Sequence, residues 1–277
     1  MIEKKPLNPE DLKQAQKIML YITKKVHAIC VKHNIKYWLD WGSLLGCVRH
    51  GGFIPWDDDM DICMQRDDYE KFLAVASEEL GDEFFVQHSG TDPQFDYPYC
   101  KVRLNGTRWV SHSWKEVDLK SQGIWIDIFP MDSFPASPFK AKVASFLMFL
   151  FRSAYHWHAD IRSPHPVKRR IQHLLAIMLS KNNALKLQNR LFEALKRYKN
   201  SGVLAMYCMN TPRSICKQAV FEKLELRKFE DTEFFIPENC DERLKGLYGD
   251  YMKLPPPEAR VNYHHIIELD FGKYRSL

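Results

Sequence analysis

Gly42-Ser43-Leu44-Leu45-Gly46, followed by Trp56-Asp57-Asp58-Asp59-Met60-Asp61-Ile62, is the part of the chain on which the rest of the reading turns. Four carboxylates fall within five residues, between apolar neighbours. Such a cluster repels itself unless a cation neutralises it. Asp59 and Asp61 alternate with Met60 and Ile62, so on a strand of period two both carboxylates project from one face while Met60 and Ile62 enter the core. Two hard oxygen donors on one rigid face suit Mg²⁺ or Mn²⁺. Upstream, Gly42-Ser43 is a small-residue turn whose backbone N–H groups can meet a phosphate. Together they read as a metal-dependent phosphoryl-transfer site. Acidic clusters are more often solvated loops, but the polar–apolar alternation continues through Cys63 and Met64 and marks this one as a strand end.

Outward from that stretch, Tyr37-Trp38-Leu39 reads as a short strand leading to Gly42-Ser43. Ser43 to Arg49 reads as a helix start, and Gly51-Gly52 as the turn after it. Further upstream, Asn8 caps a helix with Pro9 in its first turn, and Leu12, Ala15, Ile18, Met19, Ile22, Val26 and Ile29 recur at helical spacing. Downstream, Asp67-Asp68-Tyr69-Glu70 carries a capping-box pattern that opens a helix to about Leu80. Phe84–Gln87 and Tyr99–Leu104 are predicted strands, and Ile124–Phe129 is a third, buried one, stopped by Pro130. Asp127 stands between Ile126 and Ile128, isolated on one face of that strand. The mixture predicts an α/β (α+β) sheet domain flanked by helices over residues 1–135.

The net charge of +5 hides an asymmetry. Residues 139–200 hold thirteen Lys or Arg against Asp160 and Glu193, so this segment is +11 and the remainder −6. Its apolar residues fall in stripes: Ile171, Leu174, Leu175, Met178 and Leu179, then Leu187, Leu191, Leu195 and Tyr198. Residues 136–200 are therefore a basic amphipathic helical insert, and 201–277, mixed again, complete the catalytic domain. Stripes flanked by Lys and Arg over 139–200 suit peripheral contact with an anionic membrane surface, or packing on the sheet with the charges solvated. Aromatics do not interleave with the basic residues as a base-stacking platform requires, so no nucleic-acid partner is expected. Seven cysteines without a CxxC pair suggest reduced thiols. With no signal-peptide pattern and no apolar run of membrane-spanning length, the expected location is cytoplasmic, peripheral on the inner face of the plasma membrane.

Trp41–Gly46, Val48–Ile62, Tyr99-Cys100-Lys101-Val102-Arg103, Ile126–Asp132 and the terminal Tyr248-Gly249-Asp250-Tyr251-Met252 with Pro255-Pro256 resemble the LicD family, to which fukutin-related proteins are distantly similar. The resemblance implies a nucleotidyltransferase-like fold, with a Gly-Ser turn at Gly42-Ser43, paired carboxylates at Asp59 and Asp61, and a third at Asp127. It also implies transfer of phosphocholine from CDP-choline to a sugar hydroxyl, releasing CMP. The acceptors implied are lipid-linked or surface glycan precursors of the teichoic acid or lipooligosaccharide type. The gap between Gly42-Ser43 and the carboxylates is longer than in the wider superfamily, which leaves Asp57, Asp58 and Asp59 in competition for the first ligand position; alternation with Met60 favours Asp59.

On this reading Asp59, Asp61 and Asp127 are catalytic and hold Mg²⁺ or Mn²⁺, and Asp127 alternatively takes the hydroxyl proton. Gly42, Ser43, Arg49, Lys101 and Arg103 contact the donor phosphates. His264, His265 and Arg260 follow a proline-stiffened segment and could close over the site. A quaternary ammonium favours aromatic faces, and Trp38, Trp41, Trp56, Trp109, Trp114 and Trp125 are the candidates. The same carboxylates would serve a phosphoribitol, phosphoglycerol or sugar-phosphate transferase or a nucleotidyltransferase, and a non-catalytic membrane- or nucleotide-binding adaptor is the reading from another class.

Overall fold

The structure is a computed structural model that describes residues 7–95, 97–111, 117–158, 163, 165–207, 212–262 and 264–277. In chain order its elements are α1 (Pro9–Lys32), β1 (Trp38–Leu39), α2 (Trp41–His50), β2 (Asp61–Gln65), α3 (Arg66–Leu80), β3 (Phe84–Gln87), β4 (Cys100–Leu104), β5 (Arg108–Ser111) and β6 (Trp125–Ser133). Then come α4 (Pro138–His158), α5 (Pro166–Met178), α6 (Lys181–Leu195), β7 (Val203–Ala205), β8 (Cys216–Lys217), β9 (Leu224–Phe229), β10 (Thr232–Pro237), α7 (Cys240–Tyr248) and β11 (Ile266–Asp270). They divide into two compact units, Met1–Pro130 with Val220–Leu277, and Met131–Ala219. The mixed α/β class expected from the sequence is the one observed.

In the first unit α1 starts where the sequence placed it. The Asn8 side chain accepts from the Asp11 N–H at 2.8 Å, and Pro9 occupies the first turn, where its missing N–H costs nothing. Its predicted stripe packs inward, with Ala15, Ile18, Met19, Ile22 and Val26 fully buried. They meet a sheet of order β1-β2-β6-β4-β3. β1 pairs antiparallel with β2, β6 with β4, and β4 with β3. The C-terminal part of the chain adds an antiparallel β9–β10 hairpin, the helix α7, and β11, which pairs with β5. Sequence patterning missed this last pair.

Two local expectations are corrected. β2 runs directly into α3, whose N-cap is Gln65 with no side-chain capping bond, so Asp67 and Asp68 lie in the first turn and form no capping box. Their carboxylates still favour that end of the helix through its dipole. Nor does Pro130 stop β6, which continues to Ser133. Up to Ile128 this strand pairs with β4, and at Asp132 and Ser133 it pairs with β7. Pro130 sits at the change of partner, where no ladder donor is missed.

In the second unit α4 and α6 pack with β7 around Phe134, Ala144, Met148, Leu195, Ala205 and Tyr207. A smaller cluster joins Ala154, Tyr155 and Ala184. The stripe ending at Leu191, Leu195 and Tyr198 packs there as expected. The stripe over 171–179 does not behave as one face: Leu175 and Leu179 pack inward while Leu174 and Met178 stay exposed. Among the described residues, no helix is long and apolar enough to cross a membrane.

Candidate active site

Gly42 and Ser43 are not a free turn but the first turn of α2, whose N-cap is Asp40. The Asp40 carboxylate accepts from the Trp41 N–H at 2.9 Å and is wholly buried. Arg243 of α7 holds it in a two-pronged pair, Nε to Oδ1 at 2.9 Å and Nη2 to Oδ2 at 2.6 Å. Trp41 takes a left-handed backbone, φ 48°, to make the sharp entry from β1 into the helix. The Ser43 hydroxyl accepts from the Asp61 N–H at 2.8 Å, which ties the helix start to the start of β2. A methyl group at Gly42 would sit 2.5 Å from Asp57 Oδ2, so a side chain there moves that carboxylate from its place against the start of α2. Gly42→Ala is therefore expected to displace Asp57 and lower kcat/KM by about 10–100-fold, of the size a misplaced catalytic group costs, while the melting temperature of the purified variant stays near that of the parent.

Met60, Ile62 and Met64 enter the core, leaving Asp59, Asp61 and Cys63 on the opposite side, as period two requires. The regular strand begins only at Asp61, but the Asp127 N–H donates to the Met60 carbonyl at 2.9 Å and keeps this stretch on the sheet. Burial, and then repulsion from Asp59 and Asp58, hold the Asp57 carboxyl well above the usual range, and it hydrogen-bonds to Asp59. Asp59 is raised mainly by burial, with His264 opposing the shift. Asp61 is raised well above its ordinary value by burial, then by Asp59, Asp127, Asp57 and Asp40.

Asp58 faces elsewhere. It is buried and accepts from the His264 backbone N–H at 3.0 Å, with His264 Nδ1 3.1 Å from its other oxygen. Burial works against a charged His264, but the bond to Asp58 and the charges of Asp59 and Asp58 outweigh it and raise the imidazole above its ordinary range. The segment after the prolines thus fastens onto the acidic cluster through His264.

Asp127 of β6 stands opposite Lys101 of β4 in register. Its Oδ1 accepts from Lys101 Nζ at 2.5 Å and its Oδ2 from Trp125 Nε1 at 3.1 Å. Lys101 is lowered by burial, with Asp127 opposing. Arg103 is buried and donates to Gln87 Oε1 at 2.5 Å and to the Gly123 carbonyl at 2.8 Å. Burial brings its pKa down to about 10. Lys101 and Arg103 both lie over the Trp125 ring, at 4.3 Å and 4.9 Å from its centroid. Of the three phosphate-contact cations expected, only Arg49 lines the open cleft described next.

That cleft, of about 460 Å³, is bounded by Gly42, Arg49, Trp56 and Asp57 on one side and by Tyr248, Tyr251, Lys253 and Pro256 on the other. Arg49 Nη1 donates to the Tyr251 carbonyl at 2.8 Å, joining the two motifs that lie 202 residues apart. Tyr248 is held far above its ordinary range by burial, then by Asp61, Asp40, Asp57 and Asp59, so its phenol is the neutral neighbour of four carboxylates. Of the six tryptophans proposed for a cationic group, Trp56 lines the cleft, with the Arg260 guanidinium 5.4 Å from its ring centre. Trp38 is stacked on Phe221, Trp109 and Trp125 are buried, Trp41 lies under Arg243, and Trp114 is outside the described residues. Sequence reasoning missed Arg243, Asp40 and Tyr248. Tyr248 opens the terminal motif and could have been found there, whereas nothing in the pattern of α7 singles out Arg243.

Asp59 and Asp61 offer hard oxygen donors whose charges are poorly tolerated as they stand, which is the chemistry a divalent cation of the Mg²⁺ type fits. Among the described residues, no three carboxylate, histidine or cysteine side chains already converge as a ligand set.

Residues 34–143 match the family model for the LicD/FKTN/FKRP nucleotidyltransferase domain. The chain is 27% identical to the lipopolysaccharide cholinephosphotransferase LicD of Haemophilus influenzae, over 91% of its own length and 96% of that protein's. It is 53% identical to the human ribitol 5-phosphate transferase FKRP over 48 residues, 17% of this chain and 10% of the other. Another similarity, 45% over 79 residues, links it to an uncharacterized Rickettsia typhi protein, over 28% of this chain and 26% of that one.

Proposed function

We propose that the protein is a phosphotransferase that moves phosphocholine from CDP-choline to a sugar hydroxyl of a cell-surface glycan precursor, of lipooligosaccharide or teichoic acid type, releasing CMP; the match of residues 34–143 to the LicD/FKTN/FKRP model and the similarity to a cholinephosphotransferase support this reading. The observation that carries this reading is the cleft, in which the start of α2, the Asp57 carboxylate next to the acidic strand end, the cations Arg49 and Lys253 and aromatic rings meet. The N-terminal turn of α2 at Gly42-Ser43 receives the donor diphosphate. Arg49, with Lys253 across the cleft, offsets the charge that the phosphates carry in the transition state. Trp56, Tyr248 and Tyr251 supply the faces for the quaternary ammonium.

Asp59 and Asp61, with Asp127 nearby, are the residues that would hold Mg²⁺ or Mn²⁺. Such a cation, when bound, supplies charge neutralisation at the diphosphate. Asp57 reaches the cleft against Gly42, and its raised pKa suits a carboxylate that takes the acceptor hydroxyl proton at Oδ. Lys101 and Trp125 orient Asp127, and His264, seated on Asp58, holds the C-terminal segment across the site. Because CDP-choline is a soluble nucleotide, the reaction belongs in the cytoplasm, with the acceptor presented at the inner face of the plasma membrane.

A second donor, CDP-ribitol, is favoured by the short stretch of higher identity to the ribitol 5-phosphate transferase. The two differ in charge: choline needs the aromatic faces, ribitol needs hydrogen-bonding groups. CMP release by the purified chain is measured with each donor, with glycan precursor and Mg²⁺, and with EDTA as control. Acceptor-dependent release from CDP-choline that EDTA abolishes is the expected result. Release from CDP-ribitol alone reassigns the donor, and release from neither removes this reading.

A further inference from the structure

α5 leaves its most exposed apolar side chains uncovered. The side chains it fully buries are Gln172 and Ala176, with Ile171 and Leu175 half-buried, and Gln172 Oε1 accepts from the Ser163 N–H at 2.9 Å. The side chains it presents to solvent are large and apolar: Leu174 is 61% exposed, Ile177 71% and Met178 80%, with Val167 exposed on the preceding turns. At about 100° per residue, Val167, Leu174 and Met178 share one face, and Gln172 with Ala176 lie on the far side. A helix that only covers a core buries its large apolar residues and exposes the others. The first half of α4 repeats the pattern, exposing Phe139, Val143 and Phe146 while Ala144 and Met148 are buried.

The charges of this unit are reversed from what isolated helices prefer. None of α4, α5 and α6 has an acid in its first turn. Instead Lys140, the run Lys168-Arg169-Arg170 and Lys181 lie at these starts. Cations there oppose the partial positive charge of the helix N-terminus. In the other unit α1, α3 and α7 each have two acids in the first turn, so the reversal is confined to this one. Residues 139–200 supply only two acids to balance it.

Exposed aliphatic groups beside exposed cations on one helix match a surface that is anionic outside and hydrocarbon beneath. We propose that α5 docks this protein on an anionic phospholipid surface, with Leu174, Ile177 and Met178 entering the acyl boundary, Arg170 beside Ile177 meeting lipid phosphates, and the long side chains of Lys168 and Arg169 reaching the headgroups from around the helix start. Entry of about 5–10 Å is what such a helix reaches, and the helix lies on the membrane without crossing it. A nucleic acid would answer the cations but leave the aliphatic face in water. A second copy of the chain would bring the same positive charge to the contact.

The test is co-sedimentation of the full chain with phosphatidylcholine vesicles, plain or with about one-third phosphatidylglycerol. Two variants are compared, Ile177→Asp/Met178→Asp and Lys168→Gln/Arg169→Gln/Arg170→Gln, each with a thermal melt to establish folding. Because these are among the most exposed residues of the helix, the melts should overlay the parent. The parent is expected to pellet with anionic vesicles only. The triple variant should bind them on the order of 100-fold more weakly, at about fivefold per basic residue, and the Asp pair should fail to pellet. A parent that stays in the supernatant overturns the proposal. So does an Asp pair that still pellets while the triple variant does not, since that pattern belongs to a soluble polyanion site. A dimer in solution that the Asp pair dissociates, without vesicle binding, would give the face to a second copy. None of these readouts requires turnover, so they stand apart from the donor assay.

Discussion

Asp59→Asn and Asp61→Asn are each expected to lose about 10²–10³-fold in turnover, the scale on which deleting one group that stabilises transition-state charge is felt, and yet to melt at or above the parent temperature in EDTA. Both expectations come from the same electrostatics. Asp61 is held well above its ordinary pKa by burial and then by four carboxylate neighbours, and Asp59 is raised by burial and by Asp58 and Asp127 against the opposing pull of His264. An acid whose folded pKa is raised binds its proton more tightly folded than unfolded. Its contribution is fully present below the unfolded value of about 4, and it is lost as pH rises through the folded value. Without a cation, ionising the cluster as pH rises therefore strains the fold, and an amide at either position relieves it. Added Mg²⁺ should raise the parent's melting temperature, on the order of 5 °C at a hundred times its dissociation constant, and raise neither variant as far. Differential scanning fluorimetry from pH 5 to 8, with and without Mg²⁺, reads all of this. Variants that melt well below the parent in EDTA would sink the electrostatic account, and variants with near-parental turnover would sink the catalytic one.

Arg243→Met should be the most destabilising single change in the first unit, by about 3–5 kcal/mol, the cost of leaving a buried charge unpaired. Asp40 has no exposed surface and Arg243 almost none, so water cannot replace the lost partner. Asp40 also caps α2, so its displacement unsettles the helix start that carries Gly42 and Ser43. Asp40→Asn combined with Arg243→Met removes both charges and should recover much of the stability, because neutral groups of similar shape leave no uncompensated ion. It should not recover turnover, since the cap geometry is still altered. Urea denaturation of Arg243→Met, Asp40→Asn and the double variant gives the coupling energy. A single variant within about 1 kcal/mol of the parent, the scale of an exposed ion pair, would show that Asp40 finds another partner.

Much of the catalytic half was legible because its signals are local. Period two alone put Met60 and Ile62 in the core and Asp59 and Asp61 opposite, and the cap at Asn8 and the stripe after it gave α1. Asp127 was correctly read as the isolated polar group of a buried strand, but its engagement by Lys101 depends on the register between β4 and β6. The reading of Pro130 as a stop failed because the strand changes partners there, and a missing donor matters only where a partner is waiting. The single stripe expected over 171–179 failed for a related reason: periodicity shows that a face is apolar, not whether anything covers it.

By itself, then, the sequence determined which residues alternate, which cap, where charge accumulates, and the family model that residues 34–143 match. Tertiary structure alone decided that Arg49 meets the Tyr251 carbonyl, that His264 seats on Asp58, that Arg243 holds Asp40, and that Asp57 rests on a glycine. Each of these joins side chains that no backbone period relates, and the three polar contacts span about 200 residues. Local propensity is set by sterics and hydrogen bonding within a few residues. The pairing of distant polar groups is set by which of them the packed core leaves out of reach of water, and that is known only when the core has formed.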